Sequence, residues 1–159
     1  MISGLPHTLN GLHWLQGPLE ASLARVRATV ERHLESGERA PLLDATEELR
    51  QVRGTLAMIQ CAGGELLARE ILALLQALAQ VRVSSSEEAF AALSGATLQL
   101  SDYLELLCLG QRDHALVLQP LINELRLARG RPLRTEAELF AAQIQALPII
   151  LSPPSPATA

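Results

Sequence analysis

Glu47, Arg50 and Arg53 are spaced three residues apart in the stretch EELRQVRGTLAMIQCAGGELLARE (residues 47–70), and Gly54 follows directly. On a helix, residues three and four apart share a face, so Arg50 and Arg53 would present two guanidiniums together. Such a pair grips a carboxylate or phosphate through paired N–H donors. It cannot attack phosphorus, because a guanidinium stays protonated to a pKa above about 12 and has no free lone pair. Glycine inside a helix costs about 1 kcal/mol relative to alanine, which marks Gly54 as a point of close backbone approach, with the small Ala57 beside it. Two readings compete. Arg50, Arg53, Gly54 and Ala57 form a docking strip for a partner, or they serve no partner. In the second case the arginines point to solvent, with Glu47–Arg50 as a surface pair, and Gly54, separately, packs against a neighbouring helix. Docking needs an exposed glycine and helix packing a buried one.

Other chemistry is sparse. His13 stands in HWLQG (residues 13–17), ahead of Pro18 at the start of a helix, and His7 lies in the N-terminal tail. His33 falls near a helix C-terminus, where a cation is favoured, and His114 follows Asp113 with no lysine–glycine context. Cys61 and Cys108 sit inside apolar helical patterns without CxxC spacing, which suits buried, reduced thiols. Trp14 and Tyr103 read as half-buried packing residues. GxSxG, HExxH, a P-loop and an EF-hand loop are all lacking, so no catalytic residue, metal ligand or cofactor is assigned.

The elements that would hold the strip follow from composition and period. The chain has 159 residues, 48% of them hydrophobic and 3% aromatic, which points to a single all-α domain rich in leucine and alanine. A net charge of −4 and four aromatic side chains argue against nucleic-acid binding. No apolar run reaches the roughly 18 residues of a membrane span, and a signal peptide is lacking, so a cytoplasmic protein is expected. A first helix carries Leu12, Leu15, Leu19, Leu23, Val26, Val30 and Leu34, starting at Asn10 or at Gly17-Pro18, with a bend at Pro18. A second opens at Pro41, carries Leu49, Val52, Leu56 and Ile59, and stops at Gly63-Gly64. A third bears Leu66 to Val81, and a fourth follows the serines 84–86 with Phe90, Leu93, Thr97, Leu100, Leu104 and Leu107 on one face. Asp113 is expected to cap a fifth helix bent at Pro120, and Thr135 a short sixth. These helices predict an antiparallel up-down bundle of four to five helices over residues 1–147. Its core would include Leu23, Val26, Leu49, Val52, Leu56, Leu67, Ile71, Leu74, Leu93, Leu104, Leu121 and Leu125. Residues 148–159, with four prolines, read as a linker to further protein.

RQVRG (residues 50–54) resembles the H-x-x-K-G frame of histidine-containing phosphotransfer (HPt) domains, which are small helical bundles. In that frame Gly54 matches the glycine that admits a response regulator, Arg53 replaces the lysine and Arg50 replaces the phosphoacceptor histidine. The segments QVRGTLAMIQCAGGELLARE, YLELLCLGQRDHALVLQPLINELRLARGRPL and TEAELF look like a more specific group. That group is the N-terminal HPt-like domain shared by chemosensory histidine kinases of type IV pilus systems (ChpA- and PilL-like) and the twitching-motility regulator FimL. The resemblance implies a pseudo-phosphotransfer domain that contacts pilus signalling and polarity proteins, such as a FimV-like scaffold or response regulators, with recruitment to the cell pole. The alternatives are an active phosphotransfer domain using a non-standard histidine, or a structural dimerisation bundle.

Overall fold

The computed structural model describes residues 7–82 and 87–146, so the linker assigned to 148–159 and the serine cap at 84–86 lie outside the described residues. Six α-helices follow in order: α1 His7–Ser36, α2 Ala40–Met58, α3 Ala62–Ala79, α4 Glu87–Cys108, α5 Gln119–Ala128 and α6 Glu136–Ala146. Among the described residues there is no strand, and no helix is long and apolar enough to cross a membrane. The first four close a ring in which α1 packs on α2 and α4, and α3 packs on α2 and α4. Short connections make α1–α2 and α2–α3 antiparallel neighbours. A 3-10 turn at Ala115–Leu118 and α5 lean on α3, and α6 rests on α3 and that turn.

The apolar periods explain the core. Leu12, Leu19, Leu23, Val26 and Val30 of α1 are buried against Leu49, Val52 and Leu56 of α2, Leu67, Ile71 and Leu74 of α3, and Leu93, Leu100 and Leu104 of α4. Every core residue expected from the sequence is buried except Leu121, which packs half-buried on the core's edge. Leu34, the last residue of the expected stripe, is exposed. Thr46 and Thr97 are buried polar exceptions, each hydroxyl donating to a carbonyl one turn back, Leu42 and Leu93.

Five helices stop by one device, a left-handed residue just beyond the last turn. Gly37, Gly110 and Gly130 do this for α1, α4 and α5, with φ of 71°, 97° and 66°. Gln60 and Val81 do it for α2 and α3, with φ of 61° and 56°. At Gln60, the Cys61 N–H donates to the Leu56 carbonyl at 2.9 Å and the Gln60 N–H to Ala57 at 3.1 Å, a complete Schellman closure.

This closure corrects the expected end of α2. Gly63 and Gly64 are not its stop; they are buried in the first turn of α3. A Cβ on Gly63 would lie 2.5 Å from Asp113 Oδ1 and 2.8 Å from the Tyr103 hydroxyl, and one on Gly64 would lie 2.8 Å from Cys61 Sγ. The Gly63 N–H instead donates to both Asp113 carboxylate oxygens, at 3.0 and 3.2 Å. Asp113 therefore caps α3 from a distant loop and does not cap α5. The Tyr103 hydroxyl donates to Asp113 and accepts the His114 N–H at 2.8 Å, which ties the loop after α4 to the start of α3. Burial and the Asp113 charge push the Tyr103 phenol far up, so it stays a donor.

One proline expectation also changes. α1 runs through Pro18 as one helix, and Pro120, expected to bend the fifth helix, sits in the first turn of α5, where its missing N–H is not needed. At α6 the Thr135 cap holds: the Glu138 N–H donates to the Thr135 hydroxyl at 3.2 Å, and the Thr135 N–H to Glu138 at 2.8 Å.

Candidate functional site

Helix α2 lies in the ring with Leu42, Ala45, Leu49, Val52 and Leu56 inward, which turns Arg50, Gly54 and Ala57 to solvent. Gly54 is exposed, and a Cβ built on it would meet nothing within 4 Å. The packing explanation of this glycine is thereby removed, since no neighbouring helix approaches it. Arg50, Gly54 and Ala57 lie on the outward surface of α2, and Arg53, half-buried, sits at its edge toward α3.

The charges on the strip are partly answered. Arg50 pairs with Glu47 on its own helix, both side chains being more than half exposed. Arg53 reaches across to Glu65 in the first turn of α3 at 3.2 Å, and Arg69 meets the same carboxylate at 2.7 Å. Three guanidiniums thus share two carboxylates, a local positive excess in a chain of net charge −4. An exposed ion pair is worth only about 0.2–1 kcal/mol, so a partner's carboxylate can exchange for Glu47 with little loss.

No basic residue of this chain is a lysine: all 13 are arginines. The steadying lysine of a phosphotransfer frame is therefore absent here, as is an imidazole at position 50. The histidines lie elsewhere. His13 is exposed on α1 beside Trp14, their rings 6.4 Å apart, and His114 is exposed in the loop before the 3-10 turn. His33 donates from Nδ1 to the Glu38 carbonyl at 2.5 Å and stacks at 5.6 Å on Phe90, which closes the end of α1. His7 is the first residue of α1. Cys61 is buried, and burial pushes its thiol up to about 12; Cys108 is half-buried and raised for the same cause. Among the described residues no three His, Cys, Asp or Glu side chains gather as metal ligands would.

Two features escaped the sequence reading. Trp14, expected half-buried, is 82% exposed, because it lies off the stripe formed by Leu12, Leu15 and Leu19. Glu70 is buried in α3 and accepts from Arg126 at 3.0 Å and Arg129 at 2.5 Å, which pins α5 to the bundle. Nothing local signals a pairing across more than fifty residues.

The fold and this surface define an all-α helical bundle that displays an arginine strip around an uncovered glycine. In sequence, the chain is similar to the scaffold protein FimL of Pseudomonas aeruginosa (strain PAO1), with 35% identity over 150 residues, 92% of this chain. The chain spans a quarter of that relative's length, 25%. No family model matches, and no solved structure matches.

Proposed function

We propose that the chain is a noncatalytic, phosphotransfer-like interaction module of a twitching-motility signalling protein of the type IV pilus system, docking partners through Arg50, Arg53, Gly54 and Ala57. One observation carries this reading: where a phosphotransfer helix would place its nucleophile, this helix places an exposed guanidinium beside an uncovered glycine. In this reading the docking face is kept while the lone pair needed for relay is lost. Likeness to a protein named as a scaffold supports a role in holding partners rather than turning over substrate. The partners in this reading are pilus signalling or polarity proteins, a polar scaffold or response regulators, met in the cytoplasm at the cell pole.

Two measurements test the proposal. Incubated with a phosphorylated response regulator or kinase of its own system, the wild-type chain should take up no acid-labile radiolabel, and a stable phosphohistidine would overturn the reading. Binding of the same regulator or scaffold, measured by calorimetry, should weaken more than about tenfold, or 1.4 kcal/mol, in an Arg50→Glu, Arg53→Glu double variant. Exposed substitutions of this kind usually stay within about 0.5 kcal/mol in stability, so the melt should barely move. Unchanged affinity would place the interface on another face.

A further inference from the structure

The α1–α2 seam has a fixed register. Arg25 of α1 pairs with Glu48 of α2 at 2.7 Å, and a Cβ on Gly11 would touch Ile59 Cγ2 at 3.3 Å. The helices run antiparallel, so Trp14, three residues after Gly11, stands level with the last turn of α2. Trp14 also precedes Arg25 by eleven residues, about three helical turns, and so shares the flank of α1 that faces α2. At that level α2 presents Met58, 73% exposed, against 82% for Trp14, the only tryptophan of the chain.

Arg50, Gly54 and Met58 are four and eight residues apart, which is one continuous ridge of a helix surface. With no side chain at Gly54 the ridge has a notch, bounded by a guanidinium on one side and a thioether on the other. The distance from Arg50 to Met58 along the axis is about 12 Å at 1.5 Å per residue, two turns of a facing helix. Tryptophan, methionine and arginine are the residues enriched at protein interfaces, and lysine, which is depleted there, is absent from the chain.

Building on the docking reading above, we infer that this face takes an amphipathic helix of a partner protein, with carboxylates along one edge and an apolar row beside them. Its acidic edge meets Arg50 and Arg53, where three guanidiniums share two carboxylates. Its apolar row enters the Gly54 notch and is covered by Met58 and Trp14. Charge complementarity selects this occupant: a basic helix would meet the positive excess, and a wholly apolar one would leave the guanidiniums unanswered.

Site-specific photo-crosslinking in the full-length protein, in its own cells, tests the inference. Trp14→benzoylphenylalanine and Ala57→benzoylphenylalanine should give adducts to one and the same partner segment, with Leu98→benzoylphenylalanine on α4 as the control position. Mass spectrometry of the adduct should read a helical sequence with acidic residues on one edge and apolar residues on the next. Made as a peptide, that segment should shift Trp14 emission to the blue, and Trp14→Ala should weaken its binding at least tenfold. Adducts from position 57 without position 14 would overturn the apolar anchor and leave the strip reading standing. Adducts from neither position would overturn both. Adducts on a second copy of this chain, on lipid, or on a basic or wholly apolar segment would overturn the inferred occupant.

Discussion

Replacing Gly54 by alanine distinguishes docking from packing with a single methyl group. In a helix interior alanine is favoured over glycine by about 0.8–1 kcal/mol, partly because the unfolded chain has less freedom to lose. A Cβ at this position meets nothing within 4 Å, so no steric term opposes the gain. Gly54→Ala should therefore stabilise the protein by roughly 0.5–1 kcal/mol, which for a domain of this size raises Tm by about 1–4 °C. Gly54→Leu should also fold without loss, while its side chain fills the notch and excludes the partner. The assay is urea unfolding followed by far-ultraviolet circular dichroism, beside calorimetric binding of the partner to the same variants. Had the glycine served helix packing, the methyl would be overpacked and cost about 1–3 kcal/mol. A destabilised Gly54→Ala, or a Gly54→Leu that binds as wild type, would refute the reasoning.

The other glycine of the same region should respond with opposite sign. Gly63→Ala drives a Cβ to 2.5 Å from Asp113 and 2.8 Å from Tyr103, so it should lose about 1–3 kcal/mol in the same unfolding assay. Val81, β-branched, exposed and at φ 56°, should gain about 1 kcal/mol as Val81→Gly, read as a higher urea midpoint. Iodoacetamide at pH 8 should label Cys108 in the native protein and reach Cys61 only on unfolding, since Cys61 is 3% exposed with its thiol pushed up to about 12; equal labelling rates would contradict this. The hydrogen bond from Arg25 holds the Glu48 carboxyl below its usual 4.5, against an opposing effect of burial. A depressed folded value gives stability above the unfolded pKa that is lost as pH falls through the folded one, so acid titration of Arg25→Ala should show a shallower decline below about pH 4.5.

The elements that recur by period were legible from the sequence. Leucines at steps of three and four marked the buried face of α1 to α4, and Thr135 marked the start of α6. The strip on α2 was legible as residue types, and its exposure followed once Leu49, Val52 and Leu56 were turned inward. At Gly63-Gly64 the difference depends on partners far along the chain. Gly63-Gly64 looks like a helix stop because a stop and a close approach use the same residue, and the reason for the approach lies at Tyr103 and Asp113. Gln60, which does stop α2, carries no such signal, because its left-handed conformation is imposed by the turn into α3. Trp14 differs from the packing expected of a large aromatic residue for a local reason: its position off the leucine stripe directs it outward.

The latch among Gly63, Tyr103 and Asp113 has a consequence for the order in which the chain assembles. Asp113 bonds to a backbone fifty residues earlier, so the cap on the first turn of α3 is completed only once α4 has formed and its trailing loop has come back. Local helical turns close fast and long loops close late, so this bond is expected to form after the rate-limiting crossing. Its strength then sets how slowly the bundle opens and has little influence on how fast it forms. The start of α3 and the loop after α4 should accordingly open together, as one cooperative unit, with their amides exchanging hydrogen in step despite their separation in sequence.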